Sequence, residues 1–192
     1  MSIARISPWT VEQFLAWVQT REGRYEFDGS RPVAMTGGSA GHSLIIVNIH
    51  VALRSRLRGT PCRSFGPDLG IRTIGSAIRY PDVLVSCARF PRTELLAPDP
   101  LVVFEVFSPD SGRRDRIEKA PEYGAVPSIR HYIIVESARV GLLVLHRQQA
   151  NDAWEEQTLT GGDTLSLPEI GVEIPVAAFY EDVDFGDAIA GA

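Results

Sequence analysis

The sequence is almost devoid of lysine: Lys119 is the only one, and the remaining 18 of the 19 Lys and Arg side chains are arginine. Arginine carries a permanent charge on a rigid planar group, whereas the lysine ammonium is compact and its pKa responds to its surroundings. A lysine retained against this background indicates a position that arginine does not fill. The alternative is that a single lysine drifted into a helix. The residues around Lys119 must distinguish these two interpretations.

Other features are absent as well, and each absence narrows the class of protein. Cys62 and Cys87 form no CxxC motif and no Cys/His cluster, which argues against a zinc site or a disulfide framework and predicts two free thiols. No run approaches the roughly 18 apolar residues of a membrane span. The N-terminus lacks the basic start and apolar core of a signal peptide. We therefore expect a cytoplasmic protein that does not bind membranes.

The chain also lacks a surplus of positive charge, since its net charge is −5 at pH 7. This argues against a protein that coats nucleic acid, because such proteins carry basic surfaces. It leaves room for an enzyme that neutralises phosphates with metal ions and one local arginine patch. The candidates for that patch are Arg54, Arg56, Arg58 and Arg63. The alternative for each of them is a solvated side chain at the end of a helix.

Hydrophobic patterning predicts an α/β fold in a single domain, residues 1–192, with an acidic, frayed tail at 181–192. A capping box that begins at Thr10 opens the first helix. The predicted helices cover 10–19, 40–58 and 111–123, and the predicted strands cover 24–27, 31–35, 62–65, 69–74, 79–86, 101–107, 130–136, 140–147, 154–159 and 164–167. We expect strands 79–86 and 101–107 near the centre of a mixed sheet. The last two strands should pair as a hairpin.

Glu105 is the most unusual residue of the predicted core, since it lies inside the apolar strand LVVFEVF. A buried carboxylate costs several kcal/mol unless it is paired or binds a metal. Glu105 is therefore either half of a buried ion pair with an arginine or a functional group.

Asp82 and Lys119 lie at positions that can converge on Glu105. Asp82 follows Pro81 at the start of a predicted strand, where the alternative is a turn carboxylate. Lys119 comes 14 residues after Glu105 on the next predicted helix, where the alternative is a surface pair with Asp115. Two carboxylates on adjacent strands can hold Mg²⁺ or Mn²⁺, and a nearby lysine can orient a water or offset phosphoryl charge. The three residues predict a metal-dependent, phosphodiester-cleaving site.

An ordered set of motifs extends from about Thr10 to Tyr180: RYEFDG, GHSLIIVNIHVALRSRL, FGPDLGIR, RYPDVLVS, VVFEVFSPDSGRRDRIEKAPEYGAVPSIRHYIIV and GGDTLSLPEIGVEIP. Together they resemble the Uma2-type family of restriction-endonuclease-like proteins, within the PD-(D/E)xK nuclease superfamily. The resemblance implies a restriction-endonuclease-like three-layer core, with a central mixed β-sheet flanked by helices and extra C-terminal β-hairpins. It also implies that the protein is often a homodimer.

The resemblance assigns roles to individual residues. The superfamily aspartate corresponds to Asp82 and the following acid to Glu105, both as metal ligands. The superfamily pattern places lysine two residues after that acid, where this chain has Phe107. In Uma2-like proteins the lysine stands on the following helix, at the place of Lys119.

Three further residues belong to the same region of the pattern. Glu26, within RYEFDG, matches an acidic position that can bind or bridge metal; the alternative is an exposed carboxylate paired with Arg24. His42 follows a Gly-rich loop and can touch phosphate or metal, although a surface histidine is the alternative. Pro121 lies two residues past Lys119, where it implies a kink or a restart of the helix.

These observations predict a Mg²⁺-dependent (or Mn²⁺-dependent) endonuclease acting on DNA. Its catalytic residues are Glu26, Asp82, Glu105 and Lys119, with the three acids also as metal ligands. The alternative is a catalytically inactive nuclease-like module that binds nucleic acid or a protein partner, which the acidic net charge, Phe107 and Pro121 favour. A hydrolase of smaller phosphodiesters is a third possibility.

Overall fold

A computed structural model describes residues 8–107 and 119–186 of the chain. Its helices are α1 (Val11–Val18) and α2 (Ala40–Arg56), and residues 119–124 are also helical. Its strands are β1 (Tyr25–Phe27), β2 (Pro32–Ala34), β3 (Arg63–Phe65), β4 (Ile71–Arg72), β5 (Ile78–Arg79), β6 (Val83–Ser86), β7 (Pro100–Phe107), β8 (His131–Glu136), β9 (Leu142–His146), β10 (Glu155–Leu159), β11 (Thr164–Leu167) and β12 (Val172–Pro175).

The largest sheet has six strands in the order β10-β9-β8-β7-β6-β3. Strands β7 and β8 run parallel, and their other neighbours run antiparallel, so the sheet is mixed as the sequence predicts. A smaller sheet has the order β2-β1-β5-β4, and β11 pairs with β12 as a C-terminal hairpin. The expected mixed α/β fold with a flanked central sheet is confirmed.

Strand β7 is buried on both faces, which explains its unbroken apolar sequence. On one face α2 packs against it in a cluster that includes Ile45, Ile49, Leu53, Val102, Phe104 and Val106. On the other face a second cluster includes Leu84, Val103, Phe107, Tyr123, Tyr132 and Ile134. Glu105 belongs to this second face because side chains alternate along a strand, and it emerges among residues of the helical segment 119–124.

The first helix begins as its sequence predicts. Gln13 donates its N–H to Oγ1 of Thr10, and the Gln13 side chain accepts the N–H of Thr10 in return. Phe14 then packs its ring against Phe27 of β1, with the ring centroids 5.1 Å apart. The cap and this stacked pair attach α1 to the strand that carries Glu26.

The predicted single strand 79–86 is wrong in one respect. The structure divides it into β5, in the small sheet, and β6, in the large sheet. Pro81 lies between them, and a proline cannot donate to a strand ladder. The resulting transfer between sheets leaves Asp82 on an irregular segment directly before β6.

The predicted hairpin between 154–159 and 164–167 is also wrong. Strand β10 pairs with β9 and extends the large sheet, whereas β11 pairs with β12. Leu165 and Leu167 are buried on the face that α2 covers, together with Val172 and Ile174. Burying these four apolar side chains against α2 requires β11 to leave the sheet edge.

The expectation of two free thiols is wrong in this structure, since Cys62 and Cys87 form a disulfide. Register explains the pairing: Arg63 of β3 is the Cα partner of Ser86 of β6, so Cys62 and Cys87 continue the ladder by one step. This neighbourhood arises from strand pairing across 25 residues, which cysteine spacing alone does not reveal.

No helix in the described ranges has both the length and the apolarity needed to cross a membrane. Of the predicted tail 181–192, residues 187–192 lie outside the described part. Val183 and Phe185 pack against the cluster beneath α2. The predicted helix 111–123 is described only from Lys119 onward, and Asp115 lies outside.

Candidate active site

Strand pairing brings Asp82 beside Glu105. Val83 of β6 is the Cα partner of Phe104 of β7, and the strands are antiparallel, so the next step places Asp82 opposite Glu105. Oδ2 of Asp82 accepts the backbone N–H of Val106 at 2.8 Å, which fixes the carboxylate at this position. The hypothesis that Asp82 merely closes a turn is therefore replaced by a contact with the strand of Glu105.

The helical segment 119–124 delivers two donors to Glu105. Nζ of Lys119 donates to Oε1 at 2.9 Å, and the hydroxyl of Tyr123 donates to the same oxygen at 2.7 Å. Residues four apart lie on one face of a helix, so one face of this segment satisfies the buried carboxylate. Among the described residues, the ion-pair partner of Glu105 is thus the lone lysine and not an arginine.

Glu26 lies on the other side of the same lysine. Its Oε1 is 3.5 Å from Nζ of Lys119 and accepts the N–H of Tyr80 at 3.4 Å, and its Oε2 accepts from Arg79 at 3.1 Å. The alternative pairing of Glu26 with Arg24 is wrong, since Arg24 lies 3.8 Å from Asp68 instead.

Arg79 connects this carboxylate to the helical segment. Its Nε and one terminal nitrogen donate to the two oxygens of Glu122 at 2.6 and 2.7 Å, while its other terminal nitrogen reaches Glu26. The planar guanidinium suits such two-pronged binding. Arg79 and Lys119 together hold Glu26 and the helix in a fixed relation.

Burial sets the electrostatics of the centre. It raises the pKa of Glu105 from 4.5 to about 7; the ammonium of Lys119 opposes the rise, and the neighbouring carboxylates of Asp82 and Glu26 add to it. Burial also raises the pKa of Tyr123 well above its ordinary value, with Glu105 as the next cause. Tyr123 therefore stays a hydroxyl donor over the whole physiological range.

His42 extends the site towards α2. The Ser39 hydroxyl accepts the N–H of His42 at the start of the helix, and Nε2 of the imidazole lies 3.5 Å from Oδ2 of Asp82. This contact raises the pKa of His42, and partial burial opposes the rise. His42 is thus in contact with a predicted site carboxylate. The other histidines lie elsewhere: His50 contacts Ser64, and the ring of His131 stacks on that of His146.

The carboxylates of the site determine whether a divalent cation fits there. Over residues 8–107 and 119–186, no group of three or more His, Cys, Asp or Glu side chains is arranged to hold a metal ion. Asp82 and Glu105 each commit one oxygen, and Oδ1 and Oε2 make no hydrogen bond with a described residue. Two carboxylates are the number that Mg²⁺ commonly takes from a protein, with waters and phosphates as further ligands. The pair fits such an ion, while Glu26 is committed to Arg79, Tyr80 and Lys119.

The structure brings together all four predicted site residues, with Lys119 between Glu26 and Glu105. It adds Arg79, Glu122 and Tyr123, which sequence reasoning missed. Glu122 and Tyr123 were detectable, because they follow Lys119 at the three- and four-residue spacing of one helix face. Of the arginines proposed as a patch, Arg56 donates to the backbone carbonyls of Ala52 and Glu173.

Known proteins are similar to this chain in fold or in sequence. A solved structure, described as a putative nuclease belonging to DUF820 from Anabaena variabilis, superposes with a TM-score of 0.69 at 17% identity, covering 91% of this chain and 98% of its own. That likeness concerns the fold. The "Uncharacterized protein slr1290" of Synechocystis sp. is 29% identical over 183 residues, 94% of each chain. The sequence profile described as "Uma2: Putative restriction endonuclease" matches residues 11–177. The chain belongs to the Uma2 family of restriction-endonuclease-like proteins.

Proposed function

We propose that this protein is a metal-dependent endonuclease that hydrolyses phosphodiester bonds of DNA at the site of Asp82, Glu105 and Lys119. The observation that carries the proposal is the contact of 2.9 Å between the only lysine of the chain and a carboxylate buried in the central strand. A solvated lysine that had drifted into a helix would have no reason to form it.

The charge balance of the site supports cation binding. Among the described residues, its carboxylates are Glu26, Asp82, Glu105 and Glu122, and its permanent cations are Arg79 and Lys119. Within that part of the chain carboxylates outnumber cations, which favours a divalent cation, and Oδ1 of Asp82 and Oε2 of Glu105 are its proposed ligands. Such an ion polarises a phosphoryl oxygen and lowers the pKa of bound water.

The protein groups divide the remaining tasks. Lys119 holds a positive charge beside the reacting phosphoryl group and donates a hydrogen bond to the attacking water. Glu26 and Glu105 keep its Nζ in place from two sides, at 3.5 and 2.9 Å. Tyr123 donates to Oε1 of Glu105 and leaves Oε2 for the cation. Arg79 binds Glu122 and so aligns the helical segment with the strands.

Cleavage assays test the proposal with matched substrates. Supercoiled plasmid and a structured RNA are incubated with the purified protein in Mg²⁺, in Mn²⁺ and in EDTA. We expect plasmid nicking in either metal, none in EDTA, and none by Glu105→Gln, which preserves size but cannot ionise. Metal-independent nicking, or equal nicking by Glu105→Gln, would contradict the assignment. Cleavage of RNA but not of DNA would mean that the substrate is RNA.

A second candidate function is a catalytically inactive module that binds nucleic acid or a protein. It is favoured by the double engagement of Lys119 by Glu26 and Glu105, which withholds its ammonium from other tasks. Calorimetric titration with Mg²⁺ discriminates the two, because only the enzyme requires binding that Asp82→Asn and Glu105→Gln abolish.

The homodimer implied by the family resemblance is a further proposal, which sedimentation analysis tests.

A further inference from the structure

The loop after β6 and the strand β3 line a groove of about 710 Å³. We name it the Arg–Phe groove, after Arg63, Phe65, Arg89, Phe90 and Arg92 in its lining. The rings of Phe65 and Phe90 lie with their centroids 5.3 Å apart at an angle of 39°, and both are half-buried. The three guanidinium groups around them are exposed.

We propose that the Arg–Phe groove binds a single-stranded segment of nucleic acid. Aromatic faces stack on unpaired bases with little regard to sequence, and arginines around them contact the phosphates. A duplex does not meet the same requirement, because its bases are already stacked on one another. The proposal deepens the nuclease assignment and rests on it for the identity of the ligand as the enzyme's substrate. The affinity of the groove for a single strand can be measured separately from cleavage.

The charges of the groove favour an anionic occupant. Within the described part of the chain, Arg63, Arg89 and Arg92 form no ion pair with a carboxylate, so their charge is available to a ligand. Two acids also line the groove, Asp68 and Glu94, and Asp68 already lies 3.8 Å from Arg24. The balance is positive in a protein whose net charge is −5.

The groove and the candidate active site share one face of the sheet. Phe65 is the Cα partner of Leu84, and Leu84 is the partner of Val103, which lies two residues before Glu105 on the same face. Strands β3 and β7 are two inter-strand spacings apart, or about 10 Å. The groove and the carboxylate pair therefore lie on the same side of the sheet, with the buried side chains of Leu84 and Val103 between them.

The disulfide joins the two segments that line the groove. Cys62 directly precedes β3, and Cys87 directly precedes the loop that carries Arg89 and Phe90. The covalent link holds the two segments together, so the arginines stay near the rings before any ligand arrives.

Binding is measured by fluorescence anisotropy in EDTA, so that no cleavage occurs, with a labelled oligothymidine and a labelled duplex. Arg89→Ala/Arg92→Ala is expected to weaken single-strand binding by about tenfold or more and to reduce its salt slope by about 1.4. The matched control is Arg54→Ala/Arg58→Ala, which removes two exposed charges, one from the last turn of α2 and one just beyond its end, and should change affinity less than about twofold. Phe90→Leu should weaken binding while Phe90→Tyr retains it.

The outcomes separate the two proposals. The groove is supported when the groove variants lose affinity and Glu105→Gln, inactive in cleavage, binds like the wild type. Equal losses in both double variants, tighter binding of duplex than of single strand, or no binding at all would overturn the groove. Binding that depends on the groove in a protein without nuclease activity would overturn the proposed function alone.

Discussion

Oδ2 of Asp82 accepts a hydrogen bond from the backbone N–H of Val106, at 2.8 Å. The bond ties the segment before β6 to the residue that follows Glu105, and so sets the two carboxylates side by side. Asp82 thereby has a structural task as well as its proposed catalytic one, and mutation can separate them.

Asp82→Asn and Asp82→Ala should differ in stability and agree in activity. Asparagine keeps an oxygen that can accept the Val106 N–H, whereas alanine leaves that N–H unpaired at a cost of about 1–3 kcal/mol. Urea unfolding should therefore rank wild type and Asp82→Asn above Asp82→Ala. Both variants should lose about 100-fold or more of metal-dependent cleavage, because neither supplies a carboxylate. Equal stability of the two would show that the Val106 contact contributes nothing.

The stability of the metal-free protein should depend on pH through Glu105. Its pKa is raised from 4.5 to about 7 by burial, so the folded protein holds this proton more tightly than the unfolded chain does. The associated stabilisation is complete below pH 4.5 and is lost as pH rises through 7, by up to about 3 kcal/mol.

Urea unfolding in EDTA at a series of pH values measures this effect against Glu105→Gln. The variant cannot titrate at this position, whereas the other groups cancel in the comparison. The stability of the wild type relative to the variant should fall between pH 4.5 and 7 and be level above. A difference that stays flat across this range would contradict the raised pKa.

Arg79→Met should destabilise the protein by about 3 kcal/mol, because it removes the guanidinium from the largely buried carboxylates of Glu26 and Glu122, and Glu26 then keeps only the more distant Lys119 as a cation among the described residues. The matched control is Arg24→Met, whose partner Asp68 is 93% exposed at a distance of 3.8 Å. Exposed pairs contribute about 1 kcal/mol or less. Thermal unfolding of both variants checks the prediction, and similar losses for the two would reject the bridging role of Arg79.

Reduction of the disulfide should also lower stability. Cys62 and Cys87 close a loop with a sequence separation of 25 residues, for which chain entropy predicts a loss of about 3.5 kcal/mol. Unfolding curves with and without a phosphine reductant measure it, and Cys62→Ala/Cys87→Ala should give one curve under both conditions. Identical curves for the wild type would mean that the thiols are free, as their spacing suggested.

Local signals in the sequence predicted the parts of the fold that depend on neighbours in the chain. The capping box at Thr10, the length of α2 and the buried strand around Glu105 all follow from patterns of a few residues. Within the site, Glu105 was recognisable as a carboxylate in an apolar run. Lys119 stood out because the chain has no other lysine.

The parts that depend on distant pairing were not predictable in the same way. The choice of β9 as the partner of β10 follows from burying Leu165 and Leu167 beneath α2, a fact of the whole fold. The role of Arg79 depends on where Glu26 and Glu122 arrive from distant segments. Strand patterns state which face is apolar, but they do not state which strand is adjacent.

The most direct measurement of the central claim is single-turnover cleavage of DNA in saturating Mg²⁺ by the wild type, Lys119→Ala and Lys119→Arg. Each variant must remain folded under the assay conditions and must be saturated with Mg²⁺, because removing Lys119 from its buried pair with Glu105 is expected to lower stability. We predict that both variants lose about 100-fold or more in rate, with arginine no better than alanine, because its planar fork does not replace an ammonium between Glu26 and Glu105. Cleavage by either variant at the wild-type rate would contradict the account.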